Sequence, residues 1–336
     1  MQSYSFITDF LYNLSMETLQ TRRVVIYLAF AFGIAWLFGL IVYLTGGMVD
    51  SPVIVPGLNI TLATVLIALG YMWSPALAHI LTRVITREGW RDTLLRPNFR
   101  RGWPYWFAAW LLPAVLTLVG AAVFFLLQPQ YFDPELTLLR SMLPPGLGIN
   151  LWVIVAVQIV QAMLIAAVIN SLFTFGEEFG WRAYLLPKLL PLGARNAVLV
   201  SGVIWGLWHA PVIAMGHNYG LEYPGFPWSG ILMMCVFTTA GGALISWVTL
   251  RGGSVWPAVI AHAVLNGIAG TAVLFTQGEP NPLVGPLPVG IVGMAGFILF
   301  ALWLLLRPDA LEPVEPVRRA AAGEPSEVVG GPLSAN

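Results

Sequence analysis

Residues Leu151–Phe175 read LWVIVAVQIVQAMLIAAVINSLFTF, twenty-five positions without one Asp, Glu, Lys, Arg or His. A helix needs about 20 largely apolar residues to cross a ~30 Å hydrocarbon layer, and this run exceeds that length. Its apolar positions are continuous rather than alternating, which excludes a membrane β-barrel strand. Working outward, seven more runs have the same character: roughly Val24–Leu44, Thr61–Leu81, Trp103–Leu127, Ala197–Met215, Trp228–Leu250, Val255–Phe275 and Pro288–Leu306. The chain therefore reads as an all-α polytopic membrane protein with about eight spanning helices in one transmembrane domain, residues 1–306. The stretch 307–336, rich in Pro, Ala, Gly and Glu, is expected to be a disordered cytoplasmic tail.

Composition agrees. Of 336 residues, 58% are hydrophobic and 10% charged, against about 45–50% and about 25% in soluble domains. A formal net charge of zero leaves no basic field for nucleic acid, so none is expected as a partner. Cys235 is the sole cysteine, which excludes an internal disulfide and any multi-cysteine metal cluster. The first run is too long for a secretory signal core and lacks both early positive charge and a small-residue cleavage site, so it is expected to be retained.

Cations set the orientation. With both termini cytoplasmic, fifteen of the sixteen Lys and Arg fall on inner segments, and only Arg140 lies outside. The positive-inside rule thus supports an even number of crossings and a multi-pass protein of the cell membrane. The outer segment Gln128–Asn150, with its prolines, is expected to form a cap or a short interfacial helix. Gly290, Gly293 and Gly296 suit close helix packing.

Ionisable groups inside a bilayer cost roughly 2.5–3.5 kcal/mol each, so they mark candidate chemistry. Among the glutamates, the sequence places only Glu177 and Glu178 against a spanning run, and His79, His209 and His262 lie within runs. His79 and His217 stand alone and receive no role.

Three clusters remain. In Phe175-Gly-Glu-Glu-Phe-Gly-Trp-Arg182, a continuing helix makes Glu178 and Arg182 i,i+4 partners, with Glu177 rotated by about 100° and free to face another helix. Equally, all three could be interfacial loop residues. In Trp205-Gly-Leu-Trp-His209-Ala-Pro211, Trp205 walls one side of the imidazole, and Pro211 kinks the helix beside it. The alternative is a core histidine bonded to a neighbouring helix. In His262-Ala-Val-Leu-Asn266, His and Asn share one face and can address one atom, or simply join adjacent helices. No HExxH or GxSxG motif is present. What is left is water activated by a carboxylate, with or without a His-bound metal.

These three ordered motifs, spread over roughly Gln158 to Thr271, resemble the CPBP intramembrane proteases. That group includes the type II CAAX prenyl endopeptidases and the bacteriocin-processing or self-immunity (Abi) proteins. The family's usual Phe ahead of the second-motif His is Trp205 here, a change that bears on pocket size more than on chemistry. The resemblance implies an eight-helix fold, a protease core near 151–275, and a membrane-associated peptide or protein substrate, CAAX-type prenylated or not. It implies Glu177 as general base, His209 holding the water, His262 and Asn266 stabilising the oxyanion, and Glu178 with Arg182 organising the site. It also carries the name metalloprotease, with His209, His262 and Glu177 (or Asn266) as candidate Zn2+ ligands. A catalytic zinc usually has three protein ligands and a water, so metal-free hydrolysis driven by glutamate stays open beside it.

Depth is the difficulty. At about 1.5 Å per residue, Glu177 falls near the inner interface, His262 about 10 Å in and His209 about 20 Å in. They meet only if the fifth helix starts late or tilts, or if the fourth continues inward. They are expected to line one water-filled cavity open to the inner side. Two other readings compete: a non-catalytic immunity or scaffold protein, and a proton-coupled transporter using the same groups as a relay.

Overall fold

The computed structural model describes residues 19–144, 146, 148–307 and 309–322. Each apolar run becomes a helix. α1 is Thr21–Leu44, α2 Leu62–Thr86, α3 Phe99–Leu127, α4 Leu151–Leu192, α7 Trp228–Gly252 and α8 Trp256–Phe275. These six are long and apolar enough to cross a membrane. The fifth and eighth expected crossings are shorter. The fifth is α5 (Ala194–Trp208) followed by the single turn α6 (Ala210–Ile213), and the eighth is α9 (Ala295–Leu306).

The break in the fifth run falls at His209, two residues before Pro211, because a proline ring cannot share the backbone ladder of the preceding turn. The eighth starts late because Pro282, Pro286, Pro288 and four glycines between 278 and 293 hold that stretch in turns. The only described strands are a small hairpin, Val53–Val55 with Ile60–Thr61.

Close approach of backbones fixes the bundle. A Cβ on Gly206 would stand 2.5 Å from Cys235 Cα, and one on Gly202 2.6 Å from Thr239 Cα, so α5 lies directly on α7. On Gly176 it would meet the Met72 carbonyl at 2.7 Å, which seats α4 on α2. A Cβ on Gly296 would meet the Leu116 carbonyl at 2.5 Å, so the expected small-residue packing of α9 is against α3.

The loops sort into two ends. At one end, Trp256 Nε1 donates to Leu95 O (2.8 Å), Asn98 Nδ2 to Gly252 O (2.8 Å) and Gln20 Nε2 to Ala321 O (3.1 Å). At the other, Tyr219 OH donates to Val289 O (3.0 Å), and Phe132 bridges to Thr276. The segment 128–150 does carry a short helix, Thr137–Ser141.

The stretch after Arg307 departs from expectation. It forms α10, Glu315–Ala322, with Val317 and Ala320 buried and Val314 N–H bonded to Leu250 O (2.9 Å). Two small apolar side chains one turn apart are enough to dock it, despite its polar composition. Residues 323–336 of the expected tail lie outside the described residues.

At the same end sits a buried carboxylate that the sequence reading passed over. Glu88, two residues past α2, accepts from Tyr184 OH (2.7 Å) and Thr86 Oγ1 (2.8 Å), and pairs with Lys188 Nζ (2.9 Å) and Arg23 Nε (3.4 Å). Burial pushes its pKa up, but the Lys188 charge and these hydrogen bonds outweigh that and hold it at about 2. A carboxyl depressed by folding stabilises the native state fully above its ordinary value and loses that contribution as pH falls. Thermal melting in detergent should therefore drop between pH about 4.5 and about 2, and Glu88→Gln should flatten that slope; an unchanged slope would show that Glu88 is not the group responsible.

Candidate active site

Glu177 and Glu178 sit in the buried half of α4. The helix does not stop at Phe175 as its hydropathy does; it continues through a π turn, Trp181–Leu185, to Leu192. Glu177 is thereby about 22 Å from that end of α4, and His209 is about 22 Å from the start of α5. The depth conflict disappears because the fourth helix runs on inward, one of the ways out that the sequence left open.

Glu178 is fully buried and acts as a hub. Arg182 Nη1 donates to its Oε1 at 3.2 Å and lies 3.1 Å from Oε2, the expected i,i+4 ion pair. Oε1 also accepts from His262 Nδ1 at 2.7 Å. That contact places the imidazole proton on Nδ1 and leaves Nε2 as the free edge of His262, held in one orientation by a charge.

Glu177 points away from this pair, toward α5, where its Oε2 accepts from Trp205 Nε1 at 2.8 Å. Its other oxygen meets no donor among the described residues. Trp205 is more than a wall: its ring stacks 4.3 Å from the Arg182 guanidinium carbon and 5.2 Å from the His262 ring. Its carbonyl accepts from His209 Nδ1 (2.8 Å). A carbonyl can only accept, so His209 carries its proton on Nδ1 and offers the Nε2 lone pair. Trp208 O, at the break, receives Trp36 Nε1 (3.3 Å) and Tyr71 OH, which pins the end of α5.

Glu177, His209, His262 and Asn266 line one cavity of about 280 Å³, together with Trp205, Tyr71, Met234 and Phe237. At about 30 Å³ per liquid water, the space takes several waters. Glu178 and Arg182 lie behind the wall rather than in it. All six candidate residues are thus brought together, four facing the cavity and two supporting them.

Two features were not read from the sequence. His217, given no role, also lines the cavity; burial holds its pKa at about 4, so it is neutral at neutral pH. His79, also given none, donates from Nδ1 to Phe179 O (2.7 Å) and accepts from Arg83 Nε (2.6 Å). It ties α2 to the residue next to Glu178. The i,i+4 spacing of His79 and Arg83 was a usable signal.

The wall of the cavity runs from Glu177 along α2, α5, α7 and α8 to His217, Asn218 and Val289, and Asn218 at its rim is exposed. Toward the arginine-rich end, Phe179–Leu189 is buried throughout.

The donors do not assemble a metal centre. Among the described residues no three His, Cys, Asp or Glu side chains are grouped so as to hold a metal ion. The expected trio His209, His262 and Glu177 therefore does not form a three-ligand site.

Residues 152–268 match the family model for Rce1-like type II CAAX prenyl endopeptidases. The matched segment contains every one of the six site residues. A curated relative, CAAX prenyl protease 2 of Methanococcus maripaludis, is 30% identical over 93 residues, 27% of this chain. The match spans 34% of that protein's length, about a third.

One substitution separates the two jobs of Trp205. Trp205→Phe keeps a ring over Arg182 but removes the donor to Glu177. A hydrogen bond to a charged group contributes about 1.5–3 kcal/mol to stability, so melting should fall, and turnover should fall with it because Glu177 loses the donor that fixes its orientation. Equal turnover in the two proteins would show that Glu177 is positioned by something else.

Proposed function

We propose that this protein is an intramembrane endopeptidase that hydrolyses a peptide bond of a membrane-associated peptide or protein by glutamate-activated water. The observation that carries the reading is the shared cavity: one unpaired carboxylate oxygen, two oriented imidazoles and an amide, with no nucleophilic Ser or Cys signature accompanying them in the sequence.

The water donates one hydrogen to the free oxygen of Glu177 and the other to His209 Nε2, which aims its lone pair at the scissile carbonyl. Glu177 takes a proton as the oxygen–carbon bond forms. The negative charge then moves to the carbonyl oxygen, which accepts from Asn266 Nδ2, with the His262 ring held beside it by Glu178. Glu177 returns its proton to the leaving nitrogen as the carbon–nitrogen bond breaks, giving a carboxyl and an amine. No step passes through a metal.

Support for a CAAX-type substrate comes from the family match over 152–268 and from the named activity of the archaeal relative. The test is cleavage of a panel of membrane-tethered peptides, prenylated and not, by purified protein in lipid. Cleavage supports the reading, and a protein that binds and cuts none of them loses it. A chelator arm addresses zinc: turnover unaffected by chelator matches the carboxylate route, whereas loss restored by zinc would overturn it.

A further inference from the structure

We propose that a second cavity, apart from the one that holds Glu177, binds the headgroup of an anionic glycerophospholipid. Three helix ends meet around it: α3 begins at Phe99, α7 ends at Gly252 and α9 ends at Leu306. Between them lies a hollow of about 510 Å³, lined by Tyr105, Trp247, Arg251, Trp303, Arg307 and Asp309. It shares no residue with the cavity of Glu177. Its location decides what can enter. α9 presents Leu299, Leu302 and Leu306 as exposed side chains on one face, and α3 presents Trp103 and Phe107. On spanning helices such apolar faces lie against acyl chains. The hollow sits at the ends of the same helices, at the depth where chains give way to headgroups and where Trp and Tyr concentrate.

The donors are held in place from behind. Arg251 Nη1 donates to Asp309 O (3.1 Å) and Glu312 O (3.5 Å), and its Nε donates to Tyr105 OH (3.3 Å). The guanidinium is thereby fixed, while Nη2 has no partner among the described residues. Tyr105, as acceptor in that bond and braced edge-on by Trp247 at 5.3 Å, keeps its own hydrogen to donate. Arg307 lies 4.8 Å over the Trp303 ring, with its N–H groups left for another acceptor. Two guanidinium groups and a phenol on one hollow suit the oxygens of a phosphate, and basic pockets between spanning helices hold lipid headgroups in this way. The Asp309 carboxylate also reaches the wall, so the two arginines leave one net positive charge. That balance favours a headgroup whose phosphate is not cancelled by its own ammonium, and Asp309 can accept from a headgroup hydroxyl.

The test is retention of phosphatidylglycerol by the purified full chain in neutral detergent, read by native mass spectrometry against phosphatidylcholine with the same acyl chains. Phosphatidylglycerol should bind about ten-fold more tightly, and Arg307→Gln and Arg251→Gln should each weaken it about five-fold or more. Arg307 is exposed and packs on Trp303, so its variant should melt as wild type does. Arg251 also ties the segment before α10, so its melting is measured beside its affinity. Arg101→Gln removes an exposed arginine from the start of α3, outside the hollow, and should change nothing. Equal affinity for the two lipids, or equal losses from Arg101→Gln and Arg307→Gln, would overturn the site and leave only a diffuse basic surface. Inorganic phosphate separates the sources of the anion. Phosphate that fails to displace the lipid at equal concentration supports a headgroup site; phosphate bound in preference to the lipid overturns it in favour of a soluble anion. Peptide cleavage enters none of these readouts, so the site stands or falls apart from the protease reading.

Discussion

Glu177→Gln should abolish peptide cleavage without unfolding the protein. General-base catalysis contributes about 10²–10⁴-fold, and the variant should lose at least that in kcat/KM on a membrane-tethered peptide. The amide still accepts from Trp205 Nε1, now 2.8 Å from Oε2, so the α4–α5 contact survives. What disappears is the one oxygen able to take a proton from water. Replacing a buried carboxylate by a neutral group of the same shape relieves desolvation rather than adding to it, so melting should hold or rise. Tryptophan fluorescence, with fourteen Trp in the chain, reports that directly. Retained turnover would remove Glu177 as base.

The second large effect is on stability. Glu178→Leu strands the Arg182 guanidinium, whose side chain is only 2% exposed, without its carboxylate. Breaking a buried pair by removing one partner costs about 3–5 kcal/mol, a large share of the roughly 5–15 kcal/mol that holds a typical domain. Adding Arg182→Met should recover much of the melting temperature, since a matched apolar pair leaves no charge unpaired. Activity should stay lost in the double variant, because His262 Nδ1 no longer has its acceptor at 2.7 Å and Nε2 is no longer aimed. A single Glu178→Leu variant as stable as wild type would mean that Arg182 finds another anion or water.

Much of this was written in local spacing. Glu178 and Arg182 pair because four residues make one helical turn, and the fifth run breaks at His209 because Pro211 follows. The polar positions of three motifs converge on one cavity as their resemblance implied. Other features needed the third dimension. Hydropathy ends the fourth helix at Phe175 because the next residues are polar and small, yet Gly176 and Gly180 let α4 press against α2 while protein, not lipid, surrounds its second half. Reading lipid exposure as helix length misplaced Glu177 by the whole buried segment. Glu88 looked like a loop residue because its partners, Arg23, Tyr184 and Lys188, come from distant parts of the chain. Trp205 read as a wall because nothing in a sequence says which way an indole N–H points.

The central claim is that Glu177 and His262 act on one water and one carbonyl as a unit. The direct measurement is a double-mutant comparison of kcat/KM for Glu177→Gln, His262→Ala and the pair, on one cleavable tethered peptide. Groups that serve a single step are strongly non-additive, so the double variant should be no slower than the slower single. Losses that multiply would place the two residues in separate events and contradict the shared site.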